Sequence, residues 1–324
     1  MRRVAIFAHY DSQNLVKRYI LRHLSALREV CDEIHFASTA QLPDTELAKL
    51  DGLVTSHRLC ENTGYDFGMW AQMIGGLGLG PWDELVLTNS SVFGPLVPLA
   101  GSFERMRGVD CDFWGMTDSL ELEYHIQSFF LVLRSSILRS GQVERFFASV
   151  LPYRHKWQVI RSYELGLTHF LLDLGFKPAV VGSVNDPRLH LGVSNPCMRV
   201  PMELIEMGVP YVKAELLRDN PYHLRLAPIR ARMAALGYPV DLVELERYPE
   251  ERALVGLLNR CRLRFQRWLA RNKAVLPLRP SVVAALQGRP AVGEPGKASS
   301  VDGGPDQHAG SRPDRARRPG GNTP

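Results

Sequence analysis

The side chains best able to do chemistry stand at a few points along the chain. Asn89, Ser90 and Ser91 follow directly on an apolar run at 84–88 and precede a Gly94-Pro95 turn. Small polar groups there could reach a phosphate or a metal-bound water, or could make local side-chain-to-backbone turns. His9, Tyr10 and Asp11 end the apolar run 4–8 in the same way, either as ligand contacts or as a strand end that caps the next helix. In the stretch NTGYDFGMW, Gly64 permits a turn with positive φ, and Asp66 could accept the orphan N–H groups of the helix that follows. Asp110 and Asp112 precede Phe113-Trp114-Gly115, and Asp118 and Ser119 follow it. Glu164 lies in the first turns of an apolar-periodic stretch, where the helix dipole alone favours a carboxylate.

Positioning these groups requires strands that end at one rim. The run 4–8 reads as a buried strand, the spacing of Leu15, Tyr19, Ile20, Leu24 and Leu27 as an amphipathic helix, and 34–37 as the next strand. Strand, helix, strand is one parallel crossover unit. Pro43 and Asp44 open a short helical piece, and 52–55 is a further strand candidate. A helix carrying Phe67, Trp70, Met73 and Ile74 then leads to the strand at 84–88. HIQSFFLVLR, residues 125–134, is apolar enough for one strand buried on both faces. Helical spacing returns at Val143, Phe146, Phe147 and Val150, and again from Ile160 to Leu174, closing at Gly175 before a strand at 177–181. The pattern predicts an open α/β sheet, in which ligands sit beyond the carboxyl ends of the strands.

The remaining composition narrows the class. At 324 residues and 45% hydrophobic, the chain can fill one large core or two modest ones. Its five cysteines, Cys31, Cys60, Cys111, Cys197 and Cys261, lack CxxC or Cys/His ligand spacing, which predicts reduced core thiols in a cytoplasmic protein. The opening apolar run stops at His9, far short of a signal-peptide core or a spanning helix. The net charge of +5 is local: Arg260, Arg262, Arg264, Arg267, Arg271, Lys273 and Arg279 have no acidic residue among them. Opposite them, Leu254, Leu257, Leu258, Cys261, Phe265, Trp268 and Leu269 share a helical face. That combination suits either a solvated helix or an interfacial helix on anionic lipid. Aromatics are not interleaved with the arginines as nucleic-acid stacking requires. His190 falls in a Gly-, Asn- and Pro-containing loop, and beyond Pro280 the composition predicts a disordered tail.

Taken together, VAIFAHYD, NTGYDFGMW, LTNSSVFGPLVPL, DFWGMTDS, HIQSFFLV, SYELGLTHFLLDLGFKP and GVPYVKAELL resemble, in order, the rhamnan synthesis protein F family over roughly residues 4 to 217. The resemblance implies a GT-A-type glycosyltransferase of polysaccharide or lipopolysaccharide assembly. Its sheet is mostly parallel and Rossmann-like, with flanking helices. It would have a catalytic domain at 1–220, a helical basic segment at 221–279 and a tail at 280–324. By that likeness His9, Asp11, Asn62, Gly64, Asp66, Asn89, Ser90 and Ser91 frame a nucleotide-sugar donor, and Glu164 is the general base of an inverting transfer. Asp118, His125 and Gln127 lie on the acceptor side. The implied reaction moves a deoxyhexose, L-rhamnose from dTDP-rhamnose, onto a glycan or lipid-linked glycan at the inner face of the membrane.

One position departs from the family. Its pattern at the elbow is Asn-Asp-Ser, where this chain has Asn89, Ser90, Ser91. A Mg2+ or Mn2+ ion wants anionic oxygen ligands, so either another carboxylate such as Asp112 is recruited, or the enzyme works without a metal, or the chain is a non-catalytic glycan-binding or scaffold subunit.

Overall fold

The computed structural model describes residues 1–153, 155–189, 194–239 and 241. His190, Cys261, the basic segment carrying Arg260 to Arg279 and the tail beyond Pro280 lie outside the described residues.

The first half runs β1 (Arg3–His9), α1 (Arg18–Arg28), β2 (Glu33–Ser38), α2 (Asp44–Leu47), β3 (Ser56–Leu59), α3 (Tyr65–Leu77), β4 (Glu84–Asn89) and β5 (Val92–Phe93). It continues through α4 (Leu99–Arg107), β6 (Phe113–Ser119), β7 (His125–Ile126), β8 (Phe130–Arg134), α5 (Ser135–Leu138) and α6 (Gln142–Ala148). Then come α7 (Lys156–Val159), a π-helical turn (Ile160–Glu164), α8 (Leu165–Asp173) and β9 (Pro178–Gly182). The described chain closes with α9 (Pro196–Arg199), α10 (Pro201–Glu206), β10 (Val212–Lys213), α11 (Ala214–Asp219) and α12 (Leu226–Ala235).

The main sheet has the order β3-β2-β1-β4-β8-β6, with β7 and β9 also paired to β6. Strands β3, β2, β1, β4, β6 and β9 run one way, and β8 and β7 run against them. The fold is therefore the expected mostly parallel α/β sheet. From β1 the chain moves outward to β2 and β3, then returns to place β4 on the other flank of β1. That reversal falls at the carboxyl ends of β1 and β4, the rim at which open α/β sheets hold their ligands.

Alternation along β1 divides the core. Ala5 and Phe7 pack with Ile20, Leu24 and Leu27 of α1, while Val4, Ile6 and Ala8 pack with Phe67, Trp70 and Ile74 of α3. Burial on both faces is why these strands read as unbroken apolar runs. Each fully buried Leu, Ile or Phe contributes roughly 1.5–3 kcal/mol.

Several expectations are corrected. The strand sought at 52–55 lies at Ser56–Leu59 instead, because Leu53 and Val54 are bonded back to Leu50 in a turn. All four residues of β3 are exposed, so no apolar pattern marked it. HIQSFFLVLR is not one strand. Asp118 pairs with Ile126 and Gly115 with Leu131, so three steps along β6 are matched by five on its partner, and Gln127, Ser128 and Phe129 form a bulge. Asp118 and Ser119 belong to β6 rather than following it. Helical structure also begins earlier than Ile160, at Lys156, and Gly175 takes φ +84° after α8 as a helix-terminating residue should.

Candidate functional site

The elbow after β4 stands at this rim. Asn89 Nδ2 donates to Asp66 Oδ2 at 2.7 Å, and Asn89 Oδ1 accepts from Ser91 N at 3.0 Å and Ser91 Oγ at 2.6 Å. Ser90 turns towards β1. Its N–H donates to the Ala8 carbonyl at 3.0 Å, its Oγ accepts from Tyr10 N at 3.3 Å, and its carbonyl accepts from Tyr19 Oη at 3.1 Å.

Asp66 arrives at the elbow because of the turn before α3. Gly64 and Tyr65 take φ +85° and +54°, the second in a region side chains rarely adopt. Gly68 lets this turn lie flat on the helix, since a Cβ there would stand 1.6 Å from the Thr63 carbonyl oxygen. Gly64 occupies the cap position, so the expected N-cap role of Asp66 is corrected: its carboxylate meets Asn89. Asn62 is exposed in the turn that precedes Gly64.

At the end of β1, His9 and Asp11 are engaged within the protein. The His9 ring is buried, with Nδ1 2.9 Å from Ser38 Oγ, and burial pulls its pKa down to about 4 against the opposing pull of Asp11. Asp11 Oδ1 accepts from Gln13 N at 2.9 Å and Leu15 N at 3.2 Å, and Oδ2 lies 3.0 Å from Lys17 Nζ. These are the contacts of a strand end and a cap.

The third side of the rim is the bulge. Thr88 pairs with Phe130 and donates its Oγ1 to the Phe129 carbonyl at 2.8 Å, so Ser128 stands beside the carboxyl end of β4. Ser128 donates twice to one oxygen, Glu164 Oε1, from N at 3.2 Å and from Oγ at 2.9 Å. Among the described residues, Oε2 takes no hydrogen bond. Burial would raise the Glu164 pKa, but the charges of His125 and Lys213 and both Ser128 donors outweigh it and hold it below the ordinary value. Glu164 does not open a helix, as the sequence suggested. It closes the π turn two turns beyond the helix start at Lys156, so the dipole account of its placement falls.

Asp118, His125 and Gln127 are all buried. Gln127 Nε2 lies 3.0 Å from His125 Nε2, and His125 Nδ1 lies 2.9 Å from the Glu123 carbonyl. Asp118 accepts from Val184 N at 2.6 Å and Ser183 Oγ at 3.1 Å, while burial pushes its pKa up to about 6.

Asp112 is corrected as a metal-ligand candidate. It precedes β6, at the amino end of a strand parallel to β4, and so faces the rim opposite the elbow. Its oxygens accept from Ser136 Oγ at 2.6 Å and Lys177 N at 2.8 Å. Asp66 is then the carboxylate bonded at the elbow, beside an amide and two hydroxyls. Among the described residues no three His, Cys, Asp or Glu side chains come together as metal ligands. That donor set does not fit a hard divalent ion.

Lys213 was missed by the sequence reading. Its strand β10 pairs antiparallel with β5, Lys213 opposite Val92, and its Nζ lies 4.7 Å from the Phe129 ring centroid. A lone lysine in VPYVKAELL carries no local signal of this. Cys31, Cys60, Cys111 and Cys197 are free thiols; burial pushes Cys31 and Cys197 up to about 12 and Cys111 up to about 11. Among the described residues no helix is long and apolar enough to cross a membrane.

A family model described as Rhamnan synthesis protein F matches residues 34–251. Virulence protein VirA of Vibrio anguillarum is 27% identical over 192 residues, covering 50% of this chain and 62% of its own length. The chain thus spans less than two thirds of the curated relatives it matches. Among solved structures, 4-diphosphocytidyl-2C-methyl-D-erythritol synthase from Anaerococcus prevotii superposes with a TM-score of 0.36 at 10% identity, covering 64% of this chain and 96% of that one. A cytidylyltransferase from Leptospira borgpetersenii gives 0.34 at 13% identity, covering 76% and 99%.

Proposed function

This chain belongs to the rhamnan synthesis protein F family, and from that premise we propose that it is a glycosyltransferase that moves a deoxyhexose from a nucleotide-sugar donor to a glycan acceptor. The donor is dTDP-L-rhamnose and the acceptor a growing polysaccharide or lipid-linked glycan. The observation that carries this reading is Glu164: Ser128 fixes one carboxylate oxygen with two hydrogen bonds and leaves the other to accept a proton at the rim where α/β sheets hold ligands.

In the reaction, the acceptor hydroxyl oxygen attacks C1 of the sugar from the face opposite the diphosphate, and its proton passes to Glu164 Oε2. The C1–O bond to the phosphate breaks, and dTDP leaves with the electron pair. Asp66 and Asn89, held to each other, set the floor on which the donor lies, with Asn62, Gly64 and Ser91 around it. His125 on β7 and Gln127 in the bulge, in contact with each other, orient the groups on the acceptor side. The basic segment from Arg260 to Arg279 holds the enzyme to the anionic inner face of the membrane, near a lipid-linked acceptor.

The test is to incubate purified protein with dTDP-rhamnose and a rhamnose-terminated acceptor. Transfer by the wild type, lost in a folded Glu164→Gln variant, is the expected outcome. Neither transfer nor donor hydrolysis across several sugar nucleotides would overturn the reading in favour of a glycan-binding subunit.

A further inference from the structure

We propose that Lys213 is the cation that meets the donor's diphosphate, in the role a divalent ion plays where the elbow carries a carboxylate; the inference rests on the nucleotide-sugar reading above. The elbow itself has Ser90 at the critical position, and its serine hydroxyls and asparagine amide cannot neutralise a diphosphate. Positive charge must come from elsewhere on the same rim.

Lys213 is fastened to that rim by backbone. It pairs with Val92, immediately after the elbow, and the next residue's N–H, of Ala214, donates to the Ser91 carbonyl at 2.9 Å. The ammonium reaches over the Phe129 ring, next in sequence to the Ser128 that holds Glu164. Its backbone is thus tied to the elbow and its ammonium to the bulge that holds the base, so a diphosphate lying across this rim comes within its reach. Lys213 is partly buried, and among the described residues no carboxylate forms an ion pair with it and no hydrogen bond occupies its three donors. A half-buried ammonium that rests on an aromatic face with its three donors unspent gains from an arriving anion. Its charge is felt by Glu164, which it helps keep ionised. As the C1–O bond breaks, negative charge grows on the departing phosphate oxygen, and a preplaced ammonium stabilises that oxygen without reorganisation.

The test is calorimetric titration of dTDP, UDP and GDP, and of thymidine, uridine and guanosine, into wild type, Lys213→Met and Lys213→Arg, with EDTA throughout and parallel runs in Mg2+. With EDTA, the wild type should bind one diphosphate well, and Lys213→Met should weaken that diphosphate about ten- to hundred-fold while leaving its nucleoside unchanged. Lys213→Arg should keep most of the affinity. Loss of diphosphate and nucleoside binding alike would reveal a packing role and overturn the inference. So would diphosphate affinity unchanged in Lys213→Met, or diphosphate binding seen only with Mg2+, and either would leave the donor reading standing. A wild type that binds no nucleoside diphosphate under any condition would overturn both.

Discussion

Asp66 and Asn89 share a 2.7 Å hydrogen bond that ties the start of α3 to the end of β4, 23 residues apart in the chain. The sequence sets the two in separate turns on one expected donor site, and the fold joins them directly at the strand-order reversal. Asp66→Ala should leave the Asn89 amide without its carboxylate. Because a displacement of about 1 Å at a reacting centre can cost about a hundred-fold, turnover should fall by about that factor. Unfolding free energy should fall by only about 1–3 kcal/mol. Steady-state kinetics beside urea unfolding separates the two, and equal loss in both would assign the pair to folding alone.

Glu164→Gln should reduce turnover by about 10²–10⁴-fold, the span of a positioned general base. Ser128→Ala removes one of the two hydrogen bonds that stabilise the ionised carboxylate, so the Glu164 pKa should rise from its depressed position. The low-pH limb of the kcat/KM profile should move to higher pH in that variant. A limb that stays in place would show that another group titrates there.

Acid should destabilise the fold through buried imidazoles. His23 is fully buried with Nε2 2.8 Å from Tyr211 Oη, and burial takes its pKa down to about 3, as it takes His9 to about 4. The unfolded chain binds these protons near pH 6.5, so the native state loses stability as pH falls from there towards 4 and 3, by on the order of a few kcal/mol. Asp118 acts in the opposite sense, since its raised pKa of about 6 makes the native state the better proton binder between about pH 4 and 6. His23→Gln keeps an amide for Tyr211 without a titrating group and should flatten the decline in urea midpoint between pH 7 and 4.5. An unchanged slope would remove His23 from the account.

Helix propensity alone says Gly68→Ala should stabilise α3 by about 1 kcal/mol. The structure reverses the sign, because the new methyl would meet the Thr63 carbonyl oxygen at 1.6 Å and that atom belongs to backbone. Thermal unfolding should show a loss of about 1–3 kcal/mol. Turnover should drop as well, since the displaced turn carries Asp66 away from Asn89.

Much of the fold was legible because it depends on local pattern. Strands β1, β2, β4 and β9 stand within a residue or two of their apolar runs, and α1, α3, α6 and α8 follow the periodicity of Ile20, Phe67, Phe146 and Leu171. The errors fall where no such pattern exists. β3 is exposed on every residue, and the bulge at 127–129 interrupts an unbroken apolar stretch because its reason lies in pairing with β6.

The sequence alone determined that His9, Asp11, Asn89, Ser90 and Ser91 follow the ends of apolar strands, since hydrophobic run and polar stop are properties of neighbours, and the parallel pairing of β1 with β4 then set them at one rim. Tertiary structure decided what those residues touch. It placed Asp112 at the far rim, enclosed His9 and Asp118, moved Glu164 from a helix start to a π turn, and brought Lys213 from a distant strand to the elbow. Those outcomes depend on strand direction and register, which are set by contacts between segments that no local pattern encodes.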